Sequence, residues 1–219
     1  KSYGFFASFP AGARLALASE GSFGPHPVLG VLPANEEWLL LMDLDRDLEI
    51  AVREVTTDTN YAGNEYLHYD DLKYFAAMAG FPSHALILRG SRDDYSEIRK
   101  GLRSWKELRE GFDFFKQRSG RVYAETDMRA HVNPSRQRSI RRAGLKLIEE
   151  AGHECPVCSW PGFQVRERKE GLPCERCQGP TESALLQVRE CRHCGHRAEE
   201  WFPEGRKEET PLYCPSCNP

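Results

Sequence analysis

The chain has 219 residues, 40% hydrophobic and 29% charged, with a formal net charge of −3. That is the apolar content of a folded protein of one or two domains, and it excludes a disordered or fibrous chain. No stretch approaches the eighteen or more uninterrupted apolar residues of a membrane-spanning helix, so no membrane partner is expected, and the acidic balance argues against a histone-like DNA coat. No charged n-region followed by an apolar h-region opens the chain, which makes the cytoplasm the expected compartment; the oligomeric state stays open.

In chain order, residues 14–18 (RLALA), 38–44 (WLLLMDL), 49–55 (EIAVREV), 85–88 (ALIL) and 122–125 (VYAE) are short apolar or β-rich runs bounded by turn residues, and they predict strands. Asp45-Arg46-Asp47 fits a hairpin connection. Helix-period patterns cover residues 70–79, 104–118 and 134–150, and Ser104 and Glu107 stand at the spacing of a capping box. Together these elements predict an α/β domain over residues 1–150, with a mixed sheet and flanking helices.

All eight cysteines lie between Cys155 and Cys217, in four Cys-x-x-Cys pairs: Cys155/Cys158, Cys174/Cys177, Cys191/Cys194 and Cys214/Cys217. A disulfide framework rarely takes this form. Eight thiolates suffice for two tetrahedral Zn²⁺ sites, since each pair can turn two sulfurs toward one ion, so residues 151–219 predict a double zinc ribbon. Sequential pairing places Cys155, Cys158, Cys174 and Cys177 on one ion, and Cys191, Cys194, Cys214 and Cys217 on the other. It suits the ribbon spacing best, with nested and crossed pairings as the alternatives. Residues 185–191 predict a strand entering the third knuckle and 198–202 a returning strand, while Gly195 stands where a knuckle needs an unhindered backbone. His153, His193 and His196 are rival ligands, but four Cys already complete a tetrahedron. A closed Cys₄ site has no open position, so both zinc ions are expected to be structural.

Two polar segments of the first domain are candidates for chemistry. Residues 19–27 follow a predicted strand and carry Glu20, Ser22 and His26 among two Gly and two Pro, a composition able to bring amides close to an anion. Residues 126–136 follow another strand and carry Asp127, Arg129, His131 and Arg136. If those strands are parallel neighbours, both segments face one crevice at the carboxyl ends of the sheet. There Asp127 could hold a divalent cation, Arg129 and Arg136 could clamp phosphate oxygens, and His131 could move a proton. The plainer alternatives are a surface turn for the first segment, and for the second an Asp127 paired with Arg129 or Arg136 while Asn133-Pro134 starts a helix.

Between Met128 and Ile148 no acidic residue occurs, whereas Arg129, Arg136, Arg138, Arg141, Arg142 and Lys146 are basic. This run is either a phosphate-contacting face or a solvated helix surface matched by neighbouring carboxylates. His84, ahead of an apolar strand, fits a satisfied core histidine, and Asp58 could add a ligand to the crevice.

Residues 18–27 (ASEGSFGPHP), 80–84 (GFPSH), 126–134 (TDMRAHVNP), 171–174 (GLPC) and the ending Cys217-Asn218-Pro219 carry a resemblance. Through them the chain resembles an uncharacterised prokaryotic family catalogued only as a domain of unknown function. The resemblance spans nearly the whole chain and implies no established substrate. It does imply a preceding segment with an initiator Met, so the N-terminus is expected to be incomplete. In element order alone the chain is similar to the noncanonical purine triphosphatases, through Lys1, the strand at 14–18, Glu20-Gly21 and the hairpin over 38–55. That similarity implies nucleotide pyrophosphohydrolysis. Glu20 and Asp127 would hold Mg²⁺ or Mn²⁺, Arg129 and Arg136 would neutralise phosphate charge, and His26 or His131 would position water. The leading expectation is thus a hydrolase acting on a phosphorylated, nucleotide-like small molecule. The alternative is a nucleic-acid-binding or protein-interaction module that uses the ribbons and the basic helix at 136–146.

Overall fold

The computed structural model describes residues 12–27 and 30–219. Strands β1 (Leu15–Pro25), β2 (Pro33–Asp43) and β3 (Leu48–Thr56) form a three-stranded sheet in that order. The predicted hairpin joins β2 to β3: Asp43 Oδ1 accepts the amides of Asp45 (3.0 Å) and Arg46 (3.2 Å), and Asp47 takes a φ of 48°. These are the local bonds by which Asp builds a turn. The prediction for β1 needs correction at its end. The strand does not stop at residue 18 but continues to Pro25, so Glu20 and Ser22 lie within a strand and not on a strand-end loop.

The chain divides into two compact units. One holds Ser19–Leu39 and Arg53–Leu145. Its main sheet contains β4 (Gly63–Tyr66), β5 (Leu86–Arg89), β6 (Ile98–Leu102) and β7 (Val122–Thr126), in the order β4-β7-β5-β6. Helix α1 (Tyr69–Met78) connects β4 to β5, and α2 (Trp105–Ser119) connects β6 to β7. Each helix joins strands that run parallel with an antiparallel strand between them, so two split βαβ crossovers interlock. The α/β composition is the predicted one, whereas the sheet is antiparallel throughout and has no parallel neighbours. The shared strand-end crevice therefore loses its geometric premise.

The period of two along a strand sorts this sheet into faces. Leu86, Leu88, Val122 and Ala124 pack with Leu72, Ala76, Leu108, Phe112 and Phe115 of the two helices. Ile87, Arg89, Tyr123 and Glu125 belong to the opposite face. At α2 the predicted capping box is present: Ser104 Oγ accepts the Glu107 amide (3.2 Å) and Glu107 Oε2 accepts the Ser104 amide (3.0 Å). Helix α3 (Pro134–Gly152) begins in this unit, at the proline the sequence marks as its first residue.

The other unit contains residues 12–18, Leu40–Val52 and Lys146–Pro219. Its sheet is built from β8 (Gln164–Glu170), β9 (Ala184–Glu190) and β10 (Arg197–Trp201), with β9 central and both pairings antiparallel. Among the described residues no helix is long and apolar enough to cross a membrane.

Candidate metal centres and the Asp127 region

The eight cysteines gather into two sets whose sulfurs all lie within 4.8 Å of one another: Cys155, Cys158, Cys191 and Cys194, and Cys174, Cys177, Cys214 and Cys217. Within the first, Cys155 and Cys194 are 3.7 Å apart and Cys158 and Cys191 3.6 Å; within the second, Cys174 and Cys217 are 4.0 Å apart and Cys177 and Cys214 3.6 Å. A regular tetrahedron with a metal–sulfur bond of about 2.3 Å has edges of about 3.8 Å, so both sets fit one four-coordinate ion. His193 instead stacks on Trp160 and His196 on Phe163, which places both rings against the knuckles and outside the ligand sets.

The pairing is interleaved, and the sequential expectation is corrected. Strand β8 pairs with β9 so that Gln164 meets Glu190 at one end and Glu170 meets Ala184 at the other. The knuckle before β8 thus lies beside the knuckle after β9, and Cys155/Cys158 meet Cys191/Cys194. At the far end the β8–β9 connection carries Cys174/Cys177, and the bridge between Cys174 and Glu209 brings the last pair alongside. A seven-residue strand separates the ends of β8 by about 20 Å, too far for Cys158 and Cys174 to share an ion.

Three knuckles repeat one backbone pattern. The amides of Ser159, Gln178 and Gly195 donate to the carbonyls of Cys155, Cys174 and Cys191, each at 2.8–2.9 Å, with φ values of 58°, 58° and 72°. The glycine predicted at the third knuckle serves as expected, while Ser and Gln accept the same left-handed conformation at the other two. Burial disfavours ionisation of Cys155, but the amides of Val157 and Cys158 and the neighbouring thiols favour it and bring it down to about 7. Cys158 is pushed up to about 12 by burial and by those same thiols. Cys214 and Cys217 repeat this split, at about 7 and about 12. The first thiolate of a set forms readily and opposes the rest, an opposition that a divalent cation at the centre removes.

The Asp127 segment is committed to its own fold. Asp127 has no exposed surface, and Arg129 grips it: Nη2 donates to Oδ2 at 2.6 Å, Nε to Oδ1 at 2.9 Å, and the Arg129 amide to Oδ1 at 3.1 Å. Burial works to raise the Asp127 pKa, yet these bonds, with the Gly101 amide, hold it below the usual carboxylate value. Arg136 is bound on every side. Its Nε donates to Glu37 Oε1 at 2.8 Å, its Nη1 to the Met128 carbonyl at 2.7 Å, and its guanidinium lies 5.2 Å from the Phe23 ring centre. A Cβ on Gly21 would stand 2.3 Å from Arg136 Nη2, so only glycine lets β1 pass this close.

The start of α3 is equally closed to an anion. Pro134 has no N–H, Asn133 Oδ1 accepts the Arg136 amide (3.0 Å), and His84 Nε2 accepts the Ser135 amide (3.2 Å). His84 is thus the satisfied histidine that the sequence suggested. Of the other predicted site residues, Glu20 and Ser22 are exposed on β1, on the strand face opposite Gly21 and Phe23, and His131 is exposed in the short turn Ala130–Val132. The His26 amide donates to the Leu32 carbonyl (2.7 Å). Lys1 lies outside the described residues. Among the described residues, Glu20 and Asp127 join no set of converging ligand atoms.

The basic helix face finds carboxylates that sequence reasoning had missed: Glu37 for Arg136, Glu54 for Arg142 (3.0 Å) and Asp58 for Arg138 (3.4 Å). Glu54 sits inside a predicted strand, where a charge beside Val52 and Val55 is the signal that would have found it, whereas Glu37 falls one residue before the predicted strand at 38–44 and carries no such signal. Asn35, two residues before Glu37 on the same face of β2, is also buried, with neither amide atom bonded.

Two predictions follow from this geometry. Arg136→Met alone strands a buried Glu37 carboxylate and lowers unfolding free energy by about 3–5 kcal/mol, whereas Arg136→Met with Glu37→Leu recovers most of the loss; urea titration of the double-mutant cycle checks it. Asp127 has a folded pKa below its unfolded value near 4, so its stabilisation is complete above that pH and is lost as pH falls through the folded pKa. Asp127→Asn is therefore less stable than the parent at pH 7, and the gap in urea midpoints narrows toward pH 3. A gap unchanged with pH would refute the ion-pair account.

Compared with known proteins, the chain matches a family model described as the domain of unknown function DUF6671 over residues 8–219. No curated protein and no solved structure matches it. With nearly its whole length covered and the resemblance of its motifs borne out, the chain belongs to the DUF6671 family.

Proposed function

We propose that this chain is a zinc protein whose two ions are structural, and that it acts by binding a partner and not by hydrolysis at residues 20–27 and 127–136. The observation that carries the first half is the pair of cysteine tetrads, each with all four sulfurs within 4.8 Å of one another. All-thiolate tetrahedral sets favour Zn²⁺, leave it no open position, and supply folding energy where a small sheet has little core of its own. Free thiols in this number suit a reducing compartment such as the cytoplasm.

Support for a phosphohydrolase is weaker. A phosphate clamp needs cationic capacity that substrate can claim, and Arg129 and Arg136 spend theirs on Asp127 and Glu37. A catalytic Mg²⁺ or Mn²⁺ would need converging carboxylates, and Glu20 lies on the strand face away from Gly21, which Arg136 approaches. Between the binding classes, protein interaction is favoured over nucleic acid, because Glu54 and Asp58 neutralise the helix that would have met phosphates; Arg141 remains exposed.

Metal analysis of reduced, folded chain is expected to return two Zn per chain. Replacing Cys191 and Cys194 together by Ser should leave one Zn and make Cys155 and Cys158 reactive toward a thiol reagent, while Cys174, Cys177, Cys214 and Cys217 stay protected. Exposure of Cys214 and Cys217 instead would restore sequential pairing. Zinc-loaded protein with Mg²⁺ or Mn²⁺ should release no phosphate or pyrophosphate from nucleotides or sugar phosphates above a protein-free control; turnover would return the hydrolase reading.

A further inference from the structure

The helix-free face of the four-stranded sheet carries a cleft of about 460 Å³ bordered by Tyr61, Gly63, Glu65, Arg92, Tyr123 and Glu125. Small-molecule sites run from roughly 300 to 1,000 Å³. Its base is set by strand register, with Gly63 opposite Glu125 and Glu65 opposite Tyr123. A Cβ on Gly63 would stand 2.7 Å from Tyr123 Oη, so a bare strand is what lets that tyrosine lie across β4. Arg89 is held between the rings of Tyr95 and Tyr123, 4.5 and 4.7 Å from their centres, and donates to both oxygens of Glu125 at 2.8 and 3.1 Å. The buried guanidinium and ring, with the half-buried carboxylate, make this base rigid before any ligand arrives.

The wall is fixed too. The Tyr61 amide donates to Thr59 Oγ1 (3.2 Å), and Ala62 and Thr126 exchange hydrogen bonds, amide to hydroxyl at 3.2 Å and amide to carbonyl at 3.0 Å. The Tyr61 ring touches Phe23 at a centroid distance of 5.8 Å and remains 41% exposed, leaving area for another ring. Charge decides what enters. Glu125 is spent on Arg89, and Glu65 faces Arg121 at 3.3 Å, whereas Arg92 enters no ion pair among the described residues. The one uncompensated charge on the cleft is positive. Burial first, and the nearby Glu125 next, raise the Tyr123 hydroxyl above its ordinary value, and like any tyrosine at neutral pH it can donate.

We propose that this cleft binds a small anionic ligand bearing a planar ring, of the nucleoside monophosphate class. The ring stacks on Tyr61, the phosphate meets Arg92, and the Tyr123 hydroxyl bonds a polar edge. This site is independent of the zinc centres and of the Asp127 segment.

Isothermal titration of the zinc-loaded full chain with adenosine and uridine 5′-monophosphates tests it, with adenosine and inorganic phosphate as the separated halves. Saturable binding of a monophosphate is expected. Arg92→Ala and Tyr61→Ala should each weaken it about tenfold, ~1.4 kcal/mol, and each half should bind more weakly than the whole. The Arg92 side chain is exposed, so the thermal melt of Arg92→Ala should match the parent, and Arg141→Ala should leave affinity unchanged. No saturable binding of either monophosphate would overturn the proposal, as would affinity indifferent to Arg92, or inorganic phosphate binding as tightly as the nucleotide.

Discussion

Arg136 and Glu37 compensate each other's charge in the interior of one unit. Glu37 has no exposed surface, and a carboxylate moved out of water without a partner costs several kcal/mol, so the pair fixes where β2 stands relative to the start of α3. The remaining contacts of that segment follow from it. Gly21 is bare because the guanidinium fills the space a side chain would take, and Phe23 lies against that guanidinium. The Met128 carbonyl receives a donor from the same guanidinium, and Asn133 caps the turn of helix that carries it. In the other unit the same constraint takes a different form. Four sulfurs within 4.8 Å oppose one another's ionisation, and each set could hold a cation that supplies the counter-charge.

What could be read from the sequence follows from the range of each signal. Helices α1, α2 and α3 were legible because a 3.6-residue period and cap residues are local, down to Ser104 with Glu107 and Pro134. The candidate metal ligands were legible for the same reason, since each Cys-x-x-Cys is complete within one turn. Their partnership was not, because it depends on which strand ends adjoin, and β8 itself (QVRERKE) hides its alternation beneath charged side chains. The far half of β1 was missed because its Gly, Ser and Pro suggest a turn. There a close approach by Arg136 selects the glycine, and no period reveals it.

The candidate site residues of the first domain are polar groups in apolar company, and that pattern has two physical origins. A buried ion pair and an active site both concentrate Asp, Arg and His where neighbours are apolar. The difference lies in whether hydrogen-bonding capacity is spent. Asp127 accepts from Arg129 through both oxygens, and the first amides of α3 are taken by Asn133 and His84. Nothing in the local sequence distinguishes an arginine of α3 that is already paired from one that waits for an anion, because the pairing carboxylates arrive from Glu37 on β2 and Glu54 on β3.

By that criterion the helix-free sheet face is the better place for a ligand. Its deepest charges, Arg89 and Glu125, cancel each other and stiffen the base, as the Asp127 pair stiffens its turn. Toward solvent, however, Arg92 and the Tyr61 ring keep charge and area that the fold does not use. A binding site needs both layers: groups consumed in holding the shape, and groups left unsatisfied until the ligand comes. The Asp127 segment has only the first layer. The cleft over β4 and β7 has both, and the glycine at position 63 is there because Tyr123 must lie across it.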